Sequence, residues 1–305
     1  MNLNFSKINV LLIGDFMIDY YIYGNSNRKS PEAPVPIMNK KKIDFYPGGA
    51  GNVAMNLRSL GANVTCLGYV GNDKPGKALI KVLKNEGIDC KYLKTEETIT
   101  TVKKRYFVNN VQILRIDNEE ILNKWKPEFL SQLNTKNFDV IILSDYSKGV
   151  LNNDWFKDIE FENIITDPKK KNFLFYSNTK IITPNLDELK KASNIDVNDL
   201  GSIKKACYKI LNRTKLEYII AKMGEKGMMV LGKNNFAKII NPHTVKKPDV
   251  TGAGDTVIAT FSLAYSKFRD VELAAEIANA AASIVVSKKG TAVVKTKEIA
   301  SLLTK

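Results

Sequence analysis

The sequence has little of several residue types on which common enzyme mechanisms depend. It contains one histidine, His243, and three scattered cysteines among 305 residues. A single histidine argues against Ser-His-Asp catalysis, Cys-His catalysis and His-rich metal sites. Three widely spaced cysteines do not suit a disulfide framework or a zinc cluster, and they fit a reducing, cytoplasmic location. Acid–base chemistry therefore has to fall on a carboxylate, a lysine or a tyrosine.

Long apolar runs and arginine are also scarce. No apolar run reaches the roughly 18 residues that span a bilayer, and residues 1–7 are polar and unlike the start of a signal peptide. The net charge is +14, but 40 of the 46 basic residues are lysine. Recognition of nucleic-acid bases favours arginine, so we expect the lysines to form a solvated surface. We expect no nucleic-acid partner and no membrane partner. Nucleic-acid binding stays a remote alternative. The positive field suits anionic, phosphorylated substrates.

The hydrophobic pattern alternates between strands and helices. It predicts an α/β fold, with a mainly parallel sheet covered by helices on both faces. Short apolar runs predict strands at 8–13, 64–70, 140–143, 164–166, 181–183, 218–221 and 228–231. Helical periodicity covers 49–60, 74–85, 187–192, 202–211, 254–266 and 271–286. Half-exposed alternating strands at 20–23, 35–44 and 98–108 predict a small β-sheet lid, with segments at about 20–46 and 98–116. We expect one domain over residues 1–305.

A glycine-rich turn before a predicted helix carries the strongest chemical signal. It reads Asp-Val-Thr-Gly-Ala-Gly-Asp at 249–255. The small residues Gly252, Ala253 and Gly254 allow backbone amides to surround an anion at a helix N-terminus. Asp255, in the first helical turn, could accept a proton from an attacking hydroxyl. Taken alone, the turn also fits an ordinary helix start. It is neither a Walker loop nor a Rossmann fingerprint, which argues against P-loop NTPases and nicotinamide dehydrogenases.

Two further segments suit a substrate rich in hydroxyl groups. In the turn at 47–52, Gly48 and Gly49 allow close backbone approach, and Asn52 could hydrogen-bond a polyol, although an ordinary helix start remains an alternative. The first strand ends at Asp15, with Asp19 four residues later. Carboxylates at the carboxyl ends of parallel strands lie where α/β sheets bind ligands.

Together these turns resemble the ribokinase/PfkB carbohydrate kinases. The pairing of Pro-Gly-Gly-x-x-Asn at 47–52 with Asp-x-Thr-Gly-Ala-Gly-Asp at 249–255 carries the resemblance, which extends from Val10 to Thr291. Further strings resemble the heptose 7-phosphate kinases, which form half of a bifunctional enzyme of lipopolysaccharide precursor synthesis. These strings are Ser-Pro-Glu-Ala-Pro-Val-Pro at 30–36, Gln-x-Leu-Arg-x-Asp at 112–117, Ser-Asp-Tyr-x-Lys-Gly at 144–149, Asp-Pro-Lys at 167–169 and Thr-Pro-Asn at 183–185.

The resemblance implies an ATP-dependent kinase that phosphorylates the anomeric hydroxyl of D-glycero-D-manno-heptose 7-phosphate to the 1,7-bisphosphate. A related kinase acting on fructose, ribose or fructose 6-phosphate is the alternative. The implied cofactors are ATP and Mg²⁺, with a monovalent cation as a further expectation. Asp255 matches the catalytic base, and the Gly252–Gly254 turn matches an anion hole for the transferred phosphoryl group. Other matches are Asn185 and Glu188 for magnesium, through water; Asn185, Lys222, Gly224, Gly227, Thr251 and Asn279 for the nucleotide; and Gln112, Asp145 and Lys148 for the substrate.

Lys103 and Arg105 lie two residues apart on a predicted strand, so their side chains share a face. They could clamp the 7-phosphate, and two solvated surface charges are the alternative; Glu188 is likewise open to a plain surface role. The sequence departs from the family pattern at Gly51 (usually Ala), Lys170 (usually Gly) and Lys222 (often Thr). With one histidine, no His-x-x-His nucleotidyltransferase motif is present, so we expect a stand-alone kinase. The exposed lid strands predict a homodimer through the lid.

Overall fold

An apolar run at the start of the chain forms a central strand of the main sheet, β1 (Asn9–Gly14). The computed structural model describes residues 2–128, 130, 133–246, 248–288 and 290–304. Over these residues the other strands are β2 (Phe16–Asn25), β3 (Asn39–Gly49), β4 (Asn63–Gly71), β5 (Asp89–Glu96), β6 (Thr101–Val108), β7 (Val111–Asn118), β8 (Val140–Ser144), β9 (Ile164–Asp167), β10 (Ile181–Ile182), β11 (Tyr218–Lys222), β12 (Met228–Gly232) and β13 (Ala237–Ile240). The helices are α1 (Ala50–Ser59), α2 (Lys74–Asn85), α3 (Leu186–Ser193), α4 (Leu200–Leu211), α5 (Ala253–Phe268), α6 (Val271–Val286) and α7 (Thr296–Leu303).

In the described residues, the main sheet has the strand order β13-β12-β11-β10-β9-β8-β1-β4-β5. The seven neighbouring strands from β11 to β5 in this order run parallel to one another. Strand β12 pairs antiparallel with β11, and β13 pairs antiparallel with β12. The carboxyl ends of β1, β8, β9, β10 and β11 therefore meet at one edge of the sheet. This is the edge where parallel α/β sheets place their ligands.

Both faces of the main sheet are covered. Val10 and Leu12 of β1 pack into a core shared with α1, α2, α5, α6 and α7. Leu11 and Ile13 point the other way, into a core shared with α3 and α4. This alternation follows from the period-two geometry of a strand that is buried on both sides. The predicted helices on both faces are confirmed.

Strands β3, β2, β6 and β7, in that order, form the smaller sheet, called the lid below. Strand β6 is half-exposed as predicted, whereas β2 differs from the half-exposed strand predicted at 20–23. Strand β2 begins at Phe16 and is largely buried, because β3 and β6 flank it and the main body lies beneath it. Strand β3 begins only at Asn39, so residues 35–38 lie outside it.

The sequence pattern missed β5, β13 and α7, and it covered β7 only as the end of the lid segment predicted at about 98–116. Strands β5 and β13 are the two edges of the main sheet, and β7 is an edge of the lid. Edge strands keep many residues in solvent, so their hydrophobic pattern is weak. In the described part of the chain, no helix is long and apolar enough to cross a membrane.

Candidate active site

Asp255 lies in the first turn of α5 at the carboxyl edge of the main sheet, and its side chain is buried. Asn52 donates a hydrogen bond from Nδ2 to Asp255 Oδ2 at 2.7 Å, and the Tyr146 hydroxyl donates to Oδ1. Burial raises the pKa of Asp255 to about 6, although both hydrogen bonds lower it. The group is therefore ionised above about pH 6 and has a proton affinity suited to a general base near neutral pH.

A polar network behind Asp255 holds Asn52 in place. Asn56 Nδ2, one turn further along α1, donates to the Asn52 backbone carbonyl at 3.0 Å and to its Oδ1 at 3.2 Å. Thr256 Oγ1 in turn donates to Asn56 Oδ1 at 3.1 Å. These side chains join α1 to the start of α5 across about two hundred residues of sequence. Since Asn52 Oδ1 is already an acceptor, its Nδ2 is left to face Asp255.

The glycine turn before α5 has the backbone geometry that only glycine adopts easily. Gly252 has φ +75°, and a Cβ there would lie 2.6 Å from Asn52 Nδ2. Asp249 secures the two sides of the turn by accepting hydrogen bonds from the backbone N–H of Thr251 at 3.1 Å and of Gly290 at 2.8 Å. Burial raises the pKa of Asp249, but these hydrogen bonds outweigh it, so the net pKa is lowered. A rigid turn with amides at a helix N-terminus suits a phosphoryl group.

Asp15 lies directly after β1 and organises the loop that follows β8. Its Oδ2 accepts hydrogen bonds from the backbone N–H of Tyr146 at 2.8 Å and of Lys148 at 3.0 Å, and its Oδ1 accepts from Val150 at 3.0 Å. Burial raises the pKa of Asp15, and the three amides partly offset that rise. Asp15 thereby positions Tyr146, which contacts the candidate base.

The inner face of the lid carries two cations, of which Lys103 faces the loop after β8. Lys103 Nζ lies 5.3 Å from the centre of the Tyr146 ring, and burial lowers the pKa of its ammonium. Arg105 forms an ion pair with Asp19 at 2.7 Å and lies over the Tyr21 ring. Lys103 pairs directly with Asp19 in the sheet register, so the three charges share one face.

Close backbone approach also shapes this face of the lid. A Cβ at Gly48 would lie 2.5 Å from Asp19 Oδ2, so any larger side chain would displace that carboxylate. Gly49, the next residue, has φ +54°. The Tyr21 hydroxyl is 3.1 Å from Thr291 Oγ1, which ties the lid to the loop beside the glycine turn. The lid therefore lies beside Asp255, the candidate base, and beside the glycine turn.

Another group of polar side chains lies at the ends of β9, β10 and β11. Asn185 and Glu188 form a capping box at the start of α3, with both hydrogen bonds at 2.9 Å. Lys169 forms an ion pair with Glu188 at 3.2 Å. Lys222 forms an ion pair with Asp167 at 2.5 Å, and a Cβ at Gly254 would lie 3.4 Å from Lys222 Nζ.

The predicted nucleotide residues continue along this edge. Gly224 and Gly227, on the turn between β11 and β12, both have positive φ. Asn279 of α6 is buried and donates to the Asn241 carbonyl at 2.7 Å. In the described residues, no group of three or more His, Cys, Asp and Glu side chains is placed to hold a metal ion.

Two predicted substrate residues have other partners in the structure, and a third is exposed. Lys148 forms an ion pair with Glu119 at 2.6 Å. Asp145 accepts from the Tyr176 hydroxyl at 2.6 Å, and burial raises its pKa to about 6. Gln112 is exposed on β7, opposite Phe107. Their substrate roles stay predictions.

Sequence reasoning missed Tyr146, Asp167 and Tyr21 as residues of this site. Tyr146 lies within the string at 144–149, but nothing in the string says that its hydroxyl reaches a residue more than a hundred positions away. Asp167 falls within the Asp-Pro-Lys string and marks a strand end, which was the available signal. For Tyr21, only the fold reveals its contact with Thr291.

Comparison with known proteins gives three kinds of match. The family model described as pfkB family carbohydrate kinase matches residues 7–298. "Bifunctional protein HldE" from Helicobacter acinonychis (strain Sheeba) is 40% identical over 96% of this chain, and the protein of that name from Campylobacter curvus (strain 525.92) is 35% identical over 97%. The chain spans only 66% and 65% of the length of these curated relatives.

Solved structures show the same fold at low sequence identity. Ribokinase from Thermotoga maritima has a TM-score of 0.77 and 21% identity, covering 98% of this chain and 99% of its own. Arabidopsis thaliana ribokinase, complexed with ribose and ATP, has a TM-score of 0.78 and 19% identity, with the same coverage of both chains. These matches confirm the predicted ribokinase-like α/β fold, and the family match confirms the resemblance drawn from the motifs.

Proposed function

The chain belongs to the pfkB family of carbohydrate kinases, and on that premise we propose that it phosphorylates the anomeric hydroxyl of D-glycero-D-manno-heptose 7-phosphate, using ATP. The product is the 1,7-bisphosphate, a precursor for ADP-heptose and lipopolysaccharide. The family match and the identity to bifunctional HldE proteins support a sugar kinase. The strings at 30–36 and 144–149, which resemble heptose 7-phosphate kinases, support the choice of sugar.

The observation that carries the choice of a phosphorylated sugar is the pair of cations on the inner lid face. Lys103 is half-buried, forms no ion pair among the described residues, and lies over the ring that contacts Asp255. Burial lowers the pKa of its ammonium more than the charges of Asp19 and Asp117 raise it, so an anionic substrate group would stabilise the charged form. Arg105 beside it can offer two parallel hydrogen bonds to a phosphate.

The proposed chemistry needs one proton acceptor and one anion-binding turn. Asp255 accepts the proton of the anomeric hydroxyl as the oxygen attacks the γ-phosphorus of ATP, and the bond to ADP breaks. Amides of the turn at Gly252, Ala253 and Gly254 hold the phosphoryl group during its transfer. Tyr146 and Asn52 orient the carboxylate so that its remaining lone pairs face the substrate. The lid excludes water, which would otherwise compete with the sugar.

The residues proposed for Mg²⁺ and nucleotide fit that role in donor chemistry. Asn185 and Glu188 place oxygen atoms at the sheet edge, where they also cap α3 and Glu188 pairs with Lys169, and hard cations prefer oxygen. Only two side chains are offered, which suits an ion that keeps waters and binds mainly through phosphates. When bound, Mg²⁺ would neutralise part of the phosphate charge. Gly224, Gly227 and Thr251 lie along the same edge for ATP, with Asn279 for the adenine.

A coupled ADP-release assay with a panel of sugars tests the substrate. We expect the highest kcat/KM for the heptose 7-phosphate, and weak or no turnover with ribose and fructose. A preference for fructose 6-phosphate would support a phosphosugar kinase but reject the heptose. Efficient turnover of an unphosphorylated sugar would reject the role of Lys103 and Arg105 as a phosphate clamp.

We also propose that two copies of the chain associate through the outer face of the lid. Ile43, Phe45, Leu114 and Ile116 share this face by sheet register and are 41–49% exposed. The face is mainly apolar, with Lys104 beside Ile116, and exposed apolar side chains of this kind are costly in water. A second copy offers an identical face.

Light scattering after gel filtration tests the association. We expect a dimer for the parent chain and a monomer for the double variant Ile43→Lys/Ile116→Lys. Leu200→Lys, which changes a similarly exposed residue at the start of α4, serves as the matched control and should stay dimeric. A monomeric parent chain would reject the proposal.

A further inference from the structure

A lysine and an aspartate meet beside the anion-binding turn. Lys222 is the last residue of β11 and Asp167 the last residue of β9, so both side chains start at the carboxyl edge of the sheet. Lys222 Nζ is 2.5 Å from Asp167 Oδ1, and the two side chains are 14% and 16% exposed. The ion pair is thus partly withdrawn from solvent, where its charges are weakly screened.

The ammonium group also faces the glycine turn. A Cβ at Gly254 would lie 3.4 Å from Lys222 Nζ, which puts the charge in contact range of the residue just before Asp255. Lys222 lowers the pKa of Asp255 while Asp167 raises it, as expected for charges close to the base. The ammonium of Lys222 therefore lies next to the place where the turn would hold a phosphoryl group.

Lys222 keeps donor capacity beyond its ion pair. An ammonium has three N–H donors, and within the described residues the one hydrogen-bond partner of Lys222 Nζ is Asp167. Asp167 is itself held by the Thr183 hydroxyl, which donates to the same Oδ1 at 2.8 Å. The lysine is therefore anchored at one donor and has others available toward the turn.

From this geometry we propose that Lys222 contacts the transferred γ-phosphoryl group of ATP directly, and that Asp167 is the positioning residue that aims the ammonium. The inference rests on the proposed kinase function and deepens it. Lys222 thereby adds a fixed positive charge beside the glycine turn. Charge on the phosphoryl oxygens is then met by backbone amides and by one side-chain cation.

A comparison of nucleotides tests which phosphate is contacted. Binding of a non-hydrolysable ATP analogue and of ADP is measured by calorimetry without sugar, with and without Mg²⁺. Lys222→Met should weaken binding of the ATP analogue about ten- to a hundredfold, the range for a lost charge-assisted contact, and change ADP binding less than about twofold. The effect should persist without Mg²⁺. Lys190→Met, which removes a lysine of a surface ion pair with Asp196, is the matched control and should change neither affinity.

Two more variants separate contact from packing. Lys222→Arg should restore part of the binding of the ATP analogue, since it keeps the charge, and Lys222→Thr replaces Lys222→Met if that variant does not fold. Asp167→Asn should weaken binding of the ATP analogue less than Lys222→Met. In the double variant Asp167→Asn/Lys222→Met, the aspartate substitution should add little to the loss of affinity, because Asp167 acts through Lys222.

Three outcomes would overturn the proposal. These are equal losses for the ATP analogue and ADP, unchanged affinity for both with only a lower melting temperature, and an effect that vanishes when Mg²⁺ is removed. A parent chain that binds ATP in a Lys222-dependent way but transfers phosphate to no sugar would instead refute the proposed function and leave this contact standing.

Discussion

Replacing Asp255 with asparagine removes the proton acceptor while keeping the size and shape of the side chain. Asn52 and Tyr146 contact the carboxylate, and the amide of Asp255→Asn retains an oxygen that can accept one of those hydrogen bonds. General-base catalysis contributes about 10²–10⁴-fold, so kcat should fall at least about a hundredfold. ATP binding should persist, because the glycine turn is untouched.

The same substitution should make the protein more stable at alkaline pH. Burial raises the pKa of Asp255 from 3.8 to about 6. A carboxyl group whose pKa is raised on folding contributes stability that is present below its unfolded pKa and is lost as the pH rises through the folded pKa. The difference of about two pKa units corresponds to roughly 3 kcal/mol, which is an upper bound for the relief. We expect Asp255→Asn to gain about 1–3 kcal/mol at pH 8 and nothing near pH 4.

Steady-state kinetics and urea unfolding at pH 8 and pH 4 check the two halves of this prediction. Asp154→Asn, at an exposed carboxylate that pairs with Lys157, is the control and should change neither kcat nor stability appreciably. A folded Asp255→Asn variant with more than about a tenth of the parent kcat would refute the role of Asp255 as base. A variant that is less stable than the parent at pH 8 would refute the burial argument.

Three other substitutions test the surroundings of the base. Tyr146→Phe removes a hydrogen bond that lowers the pKa of Asp255, so the acid limb of the pH profile of kcat should move to higher pH. An acid limb at the same pH would show that Tyr146 does not affect the titration of Asp255. Lys103→Met should raise the KM for the sugar phosphate about ten- to a hundredfold with the KM for ATP nearly unchanged, and Arg105→Ala should act in the same direction; an unaltered sugar KM would return both to solvated surface charges. Asp73→Ala removes the N-cap of α2 and should cost about 1–2 kcal/mol in urea unfolding without changing the KM for either substrate.

The helices that the sequence predicted best are those with strong end signals. The predicted bounds of α2 and α6 agree with the structure to the residue, since Asp73 and Asp270 cap their first turns. The missed α7 is short, and its N-cap is Lys295, an unusual residue for that position. Local capping chemistry can be read from sequence, whereas a short helix held by packing against α6 cannot.

The candidate base, Asp255, and its partner, Asn52, could be predicted from the sequence, because both belong to glycine-rich turns that suit close approach to a ligand. The partners of the other predicted polar residues could not be predicted. The residues near Arg105 in the sequence do not indicate that it pairs with Asp19. Those near Glu188 do not indicate that one of its carboxylate oxygens accepts a hydrogen bond at the start of α3. Hydrogen bonds across two hundred residues depend on the topology of the sheet, which periodicity predicts only in outline.

The topology also links the lid to Asp255, the proposed base. Asp15 separates β1 of the main sheet from β2 of the lid, and the same side chain binds the backbone of the loop that carries Tyr146. Tyr146 contacts Asp255 on one side and lies beneath Lys103 of the lid on the other. In the proposed mechanism, a substrate phosphate bound by Lys103 would therefore lie next to the ring whose hydroxyl donates to the proposed base. Since the proposed phosphate site and Asp255 both contact Tyr146, we expect a sugar without the phosphate to leave Asp255 less well aligned as well as to bind weakly.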